Sequence, residues 1–133
     1  MRSLTPRAPA SFEFREIIYE KEAPIPGAAR ITINRPGSYN AYSTAALLEL
    51  VDAFNDAAID DCVGVIVYTG AGDRAFCTGC DVIEYAADYV THPRDYWKYM
   101  GCFRAYIESI LNCGKPVIAR INGMAVGGGN ESQ

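Results

Sequence analysis

Three consecutive glycines, Gly127, Gly128 and Gly129, stand near the end of the chain inside the stretch KPVIARINGMAVGGGNE, Lys115 to Glu131. Pro116 leads a short apolar run, Val117, Ile118, Ala119 and Ile121, whose composition suits a buried strand. Asn130 and Glu131 follow the glycines at once. Ordering consecutive glycines costs backbone entropy, so they belong where the backbone turns sharply or approaches something closely. A strand running into glycines and then a carboxylate predicts a place where backbone N–H groups face a ligand.

The rest of the chain limits what that ligand can be. At 133 residues the sequence is long enough for one domain with its own core. Half of it is hydrophobic and 21% is charged, with acids and bases interspersed and a net charge of −4. No basic face is evident, which argues against nucleic acid as the main partner. No apolar run approaches the roughly 18 residues of a membrane span. The N-terminal residues 1–11 have two arginines but no apolar run of the signal-peptide kind, and read as a loose tail before a domain spanning residues 12–133. Five cysteines without a signal sequence suit reduced thiols in the cytoplasm. The chain stops two residues after Glu131, where a new helix would begin, as a truncated chain would.

The element order predicted along the chain is mixed. Phe12–Tyr19 and Ala29–Ile33 read as two strands joined by EKEAPIPGA. Pro36 then breaks the second strand. Ser43 is placed to cap a helix over residues 44–59, with Leu47, Val51, Phe54 and Ala58 at helical spacing. Val63–Thr69 is rich in β-branched residues and reads as a buried strand, and residues 70–73 as a turn. A short helix over 81–89 and a long one over 94–113 follow, the latter with a stripe of Trp97, Met100, Phe103, Ile107 and Ile110. Strand, helix and strand in succession place the chain among α/β folds.

Two segments share the form of a strand end, a glycine-containing turn and a helix start: residues 75–81, AFCTGCD, and residues 126–131, VGGGNE. Helix N-termini present unpaired N–H groups, and two such groups from two turns would make an oxyanion hole. A third segment, Asn34-Arg35-Pro36-Gly37-Ser38-Tyr39-Asn40-Ala41, precedes them. Taken in order, the three motifs resemble the enoyl-CoA hydratase/isomerase, or crotonase, superfamily. That resemblance implies the ClpP/crotonase fold, an α/β spiral of ββα turns, of which this chain would be the N-terminal half.

The resemblance assigns roles residue by residue. The backbone N–H of Cys80 and that of Gly128 would hold a thioester carbonyl and stabilise enolate charge. Glu131 would be the first of two carboxylates acting on water, the second lying beyond Gln133. Gly37, Ser38 and Tyr39 match the loop touching coenzyme A, although Gly37 and Ser38 bring no basic residue for its phosphates. Ala75, Thr78 and Val82 match the lining of the pantetheine and adenine. Coenzyme A would enter as part of the substrate, with no separate cofactor and no metal. The implied activity is that of a lyase adding water to an α,β-unsaturated thioester, or an isomerase. A homo-trimer or hexamer would be the usual assembly.

The run FCTGCDVIEYAADYVTHPRDYWKYM is similar to the branch of 6-oxocyclohex-1-ene-1-carbonyl-CoA hydrolases, which act on alicyclic thioesters. Tyr85, Tyr89, Tyr96 and Tyr99 would be unusual around a plain fatty acyl tail, but read first as surface and helix-packing aromatics. A non-catalytic family member is the alternative from another class. Cys77 and Cys80 form a CxxC, which could also be a redox pair. With His92 the only histidine and no second CxxC, a four-ligand zinc site is poorly supplied.

Overall fold

The computed structural model describes residues 4–131, the last two in backbone alone. Six strands and four helices are present among them. The strands are β1 (Ile17–Lys21), β2 (Ala28–Ile33), β3 (Val65–Gly70), β4 (Ala75–Cys77), β5 (Val117–Arg120) and β6 (Met124–Ala125). The helices are α1 (Thr44–Ile59), α2 (Val82–Glu84), α3 (Pro93–Leu111) and α4 (Gly128–Glu131).

β1, β2, β3 and β5 form one sheet in that order, β1 antiparallel to β2 and the rest parallel. β4 and β6 pair in parallel as a second, small sheet. A single parallel bridge from Tyr42 to Cys80 extends this small layer on its other side. The chain therefore repeats one movement three times: a strand in the large sheet, a short segment in the small one, then a helix. β2, Tyr42 and α1 make the first turn; β3, β4 and the helices α2 and α3 make the second; β5, β6 and α4 make the third. This is a spiral of ββα turns. Parallel strands need such crossovers, and each crossover here sets one small-sheet segment beside the last.

α1 forms where its sequence predicts it, residue for residue. Ser43 accepts the Ala46 N–H at 3.1 Å and so satisfies one of the donors that a helix start leaves over. Leu47, Leu50, Ala53, Phe54 and Ala57 are its buried face, packed with Ile31, Ile33, Ile66 and Tyr68 of the large sheet. Val51 and Ala58 sit at that face's edge, half-buried.

Several local expectations give way. The first strand begins at Ile17 rather than Phe12, because Phe12 and Phe14 stack on each other at 4.8 Å and lean on Tyr19 instead of joining the ladder. The single helix expected over 81–89 is a three-residue α turn followed by a π turn at Tyr85–Tyr89. Trp97 does not belong to the buried stripe of α3: it is 72% exposed, and Tyr99, Tyr106 and Ser109 are the residues that face inward. The stretch read as a loose tail holds a 3-10 turn at Pro9–Phe12, and the Arg7 N–H donates to Asp56 at 2.7 Å. No helix among the described residues is long and apolar enough to cross a membrane.

Candidate active site

The site is built on carbonyl oxygens that three separate loops must share. The Asn40 amide donates to the carbonyls of Ala71 at 3.0 Å and Ala75 at 2.8 Å, and its Oδ1 accepts the Arg35 N–H at 2.9 Å. The Asn122 amide donates to the same Ala75 carbonyl at 3.0 Å and to that of Gly72 at 2.9 Å, while its Oδ1 accepts the Gly70 N–H. Ala75, assigned to ligand lining, is thus a buried anchor whose carbonyl holds both amides. Tyr39 and Asn40 both take positive φ, +52° and +56°, so the loop after Pro36 closes on itself and delivers Asn40 inward.

Arg35 ties this loop to the next. Its guanidinium meets Asp81 at 2.9 Å and Glu16 at 3.2 Å, and also donates to the Ala41 carbonyl. Asp81 in turn accepts the N–H groups of Ile83 and Glu84, capping α2. Burial alone would raise the Asp81 pKa, but the Arg35 guanidinium and the two N–H donors outweigh it and hold the carboxyl below the ordinary aspartate value. The residue after Cys80 is therefore fixed from two sides.

The turns at 77–81 and 126–129 meet backbone to backbone. The Val126 N–H donates to the Cys77 carbonyl at 3.0 Å. Gly79 has φ +93°, and a Cβ there would lie 3.2 Å from the Gly128 nitrogen. A Cβ on Gly129 would lie 2.0 Å from the Cys77 carbonyl oxygen, and one on Gly128 would lie 1.5 Å from the Tyr42 hydroxyl. The glycines are thus required by packing as well as by any ligand. Tyr42 donates its N–H to the Gly79 carbonyl at 2.9 Å and accepts the Asp81 N–H at 3.1 Å. In such a parallel bridge the flanking peptide groups carry the bonds, so Cys80 turns its own N–H away from Tyr42.

Cys80 and Gly128 share the wall of one cavity of about 180 Å3 with Tyr42, Tyr85, Tyr96 and Tyr99. Met100 and Phe103 of α3 complete it. The aromatic residues read from sequence as surface packing are thus divided. Tyr85, Tyr96 and Tyr99 enter this cavity, whereas Tyr89 bonds to Thr44 beside a separate, larger cleft lined by His92 and Lys98. Tyr42, Met100 and Phe103 were not singled out as site residues from sequence. The parallel bridge at Tyr42, which sets it there, joins residues 38 positions apart and leaves no local signal.

The other assigned positions fall nearby. Gly37, Ser38 and Tyr39 lie exposed on the 3-10 turn, and the Thr78 hydroxyl donates to the Tyr39 carbonyl at 3.1 Å. Val82 is exposed at the start of α2. Arg74, which the sequence did not nominate, lines a cleft of about 200 Å3 with Pro36 and Tyr39 and brings the cation that Gly37 and Ser38 lack. Glu131 continues α4 in backbone, and its side chain lies outside the described residues. Both cysteines of the CxxC are free thiols. Cys77 is fully buried, and burial pushes its thiol up to about 11, the opposite of what a redox nucleophile needs. No group of three or more His, Cys, Asp or Glu among the described residues is placed to hold a metal.

The family model for enoyl-CoA hydratase/isomerase matches residues 25–132. The chain belongs to the enoyl-CoA hydratase/isomerase family. It is 44% identical over 103 residues to a 6-oxocyclohex-1-ene-1-carbonyl-CoA hydrolase of Geobacter metallireducens, a match covering 77% of this chain and 27% of that protein. It is 41% identical over 122 residues to the protein so named in Syntrophus aciditrophicus, covering 90% of this chain and 32% of that one. The chain thus spans about a third of the length of these relatives. Among solved structures, an enoyl-CoA hydratase from Bacillus anthracis superposes with a TM-score of 0.81 at 31% identity, covering 89% of this chain and 44% of that one. An enoyl-CoA hydratase/carnithine racemase from Magnetospirillum magneticum gives the same TM-score at 30% identity, with 89% and 43% covered. The ββα spiral described above is therefore the crotonase fold.

Proposed function

We propose that this chain supplies the oxyanion-hole part of an enzyme that acts on an α,β-unsaturated coenzyme A thioester through an enolate. The observation that carries the reading is the meeting of the Cys77–Asp81 and Gly127–Gly129 turns at one cavity, with Cys80 and Gly128 both in its wall. The Cys80 N–H and the Gly128 N–H would donate to the thioester oxygen. As water adds to the β-carbon, or as the α-carbon loses a proton, negative charge gathers on that oxygen, and donors fixed in advance stabilise it without reorganising until the α-carbon is protonated. Glu131 would take the proton from water or return it to carbon.

The approach to the cavity suits the rest of the ligand. Gly37, Ser38, Tyr39, Thr78 and Val82 would border coenzyme A, with Ala75 holding that border in place and Arg74 facing the phosphates. A tyrosine-walled cavity favours an acyl group that is flat and carries oxygen, in agreement with the relatives named 6-oxocyclohex-1-ene-1-carbonyl-CoA hydrolase. The cyclic oxo-enoyl thioester is therefore the substrate class we favour over a linear enoyl chain. Assembly as a homo-trimer or hexamer and a cytoplasmic setting belong to the same reading.

Glu131→Gln in the intact protein tests the assignment. Turnover of a cyclic oxo-enoyl-CoA and of crotonyl-CoA is measured for both forms, and the variant should lose about 10²–10⁴-fold in kcat on whichever is used. Unchanged turnover would remove Glu131 from the proton-transfer role.

A further inference from the structure

The buried tyrosines of this chain do not treat their hydroxyls alike. Tyr19 donates to Asp56 at 2.6 Å, and the hydroxyls of Tyr68 and Tyr106 bond to each other at 2.5 Å. Tyr42 is as deeply placed, only 2% exposed, with its ring 5.8 Å from that of Phe103 and 5.7 Å from that of Tyr106. Yet its hydroxyl has no hydrogen-bond partner among the described residues, and no fully buried side-chain oxygen there lacks one. The Tyr42 oxygen must therefore touch open space. The cavity that Tyr42 lines is the one containing Cys80 and Gly128, and the hydroxyl stands 1.5 Å from where a Cβ on Gly128 would be. Burial pushes the phenol pKa well up, so the group stays protonated and donates.

A donor beside the oxyanion pair needs an acceptor of its own. A carbonyl oxygen has two lone pairs, and the Cys80 and Gly128 N–H groups would use both on the thioester oxygen. We propose that the Tyr42 hydroxyl donates to a second carbonyl oxygen of the substrate, a ring ketone on the carbon adjacent to the one bearing the thioester. This rests on the acyl-CoA reading above. In such a β-oxo thioester the two oxygens are carried on carbons separated by a single ring carbon, so they lie side by side. The neighbouring donors, two backbone and one phenolic, match that pair. A thioester without the ketone would leave the hydroxyl dry and unpaired once the ring filled the cavity. Sites built to bond a substrate oxygen reject analogues that lack it for this reason.

The test compares wild-type protein with Tyr42→Phe, each intact, on two ring thioesters: 6-oxocyclohex-1-ene-1-carbonyl-CoA and the same enoyl ring without the ketone. Wild type should prefer the ketone-bearing substrate, and the variant should lose about 10–100-fold in kcat/KM on it while losing less than about 3-fold on the other. Equal losses on both would mean that Tyr42 serves the thioester or merely the packing, and would overturn the proposal. An unchanged preference would overturn it as well. Should the variant fold poorly, wild-type affinities for the two saturated ring thioesters decide instead, and equal affinities count against the ketone contact. Hydration of crotonyl-CoA without turnover of either ring sinks the ring assignment and this contact together. A wild type inactive on every enoyl-CoA sinks the acyl-CoA reading itself.

Discussion

The floor of the cavity and its aromatic wall are held by different physics. The floor, residues 34–42, 70–81 and 122–129, is fastened through polar groups: the Asn40 and Asn122 amides share the Ala75 carbonyl, and Arg35 reaches Asp81, Glu16 and Ala41. The wall, α2 with its π turn and α3, is fastened mainly ring against ring. Tyr85 meets Tyr96 at 5.7 Å, Tyr89 meets Tyr99 at 4.9 Å, and Glu84 and the Tyr89 hydroxyl make polar ties to Thr44 at the start of α1. Hydrogen bonds weaken steeply with misalignment, whereas ring contacts tolerate offset and tilt. A floor that aims backbone donors has to be exact in position, and a wall that surrounds an acyl group only has to fit it. The two regions should accordingly respond to mutation in opposite ways.

The largest effect is expected at the floor. Gly128→Ala places a Cβ 1.5 Å from the Tyr42 hydroxyl and 2.7 Å from its ring carbon, so either the tyrosine or the turn must move. Displacing the turn withdraws a proposed oxyanion donor, and kcat should fall by about 10²–10³-fold. Adding Tyr42→Phe removes the nearest atom and should return part of the lost thermal stability. If Gly128→Ala left both turnover and melting temperature intact, the floor would be less constrained than its geometry implies.

Asn40→Ala comes next and acts on stability. It strips three hydrogen bonds from a residue 1% exposed and leaves the Arg35 N–H and the Ala71 carbonyl without their partner. Both groups are only partly buried, so each falls in the lower part of the about 1–3 kcal/mol that a stranded buried polar group costs, giving roughly 2–4 kcal/mol in all. Urea unfolding should show a lower midpoint with an unchanged slope. A midpoint within error of wild type would mean that Asn122 alone holds the Ala75 carbonyl.

The same division separates what could be read in the sequence from what could not. α1 was legible because its cap at Ser43 and its buried face are encoded within one short window. The three motifs were legible because glycines and asparagines at forced turns cannot be exchanged freely: Gly79 and Gly127 take positive φ, and Asn40 does so while buried. The closure between them was not. Arg35 with Asp81 spans 46 positions, and Tyr42 with Cys80 is a single bridge, so neither leaves a periodicity. The tyrosines of the wall pack helix against helix as read, but their place in the cavity was hidden for another reason. Tyr85, Tyr96 and Tyr99 on a helical stretch are equally consistent with an outer face or an inner one, and only the fold decides. Trp97 shows this most plainly, since it shares the spacing of the apolar stripe yet points outward.

The smallest stability effect should come from the wall, and it is the one that sharpens the contrast. Tyr85 is 36% exposed, and its edge-on contact with Tyr96 is the ring interaction that replacement by leucine would lose. Such a pair is worth about 0.5–1.5 kcal/mol beyond its buried area, and leucine recovers part of that area, so Tyr85→Leu should cost no more than about 1 kcal/mol. Its consequence should fall instead on selectivity. A branched aliphatic side chain in place of a flat ring reshapes the cavity beside Cys80, so KM for a ring thioester should rise relative to that for crotonyl-CoA while kcat for crotonyl-CoA holds. Parallel kinetics on the two substrates, with a melting curve as control, measure this directly. A variant that lost several kcal/mol, or lost kcat equally on both substrates, would show that the wall positions the reacting atoms as strictly as the floor does, and the distinction between the two would fail.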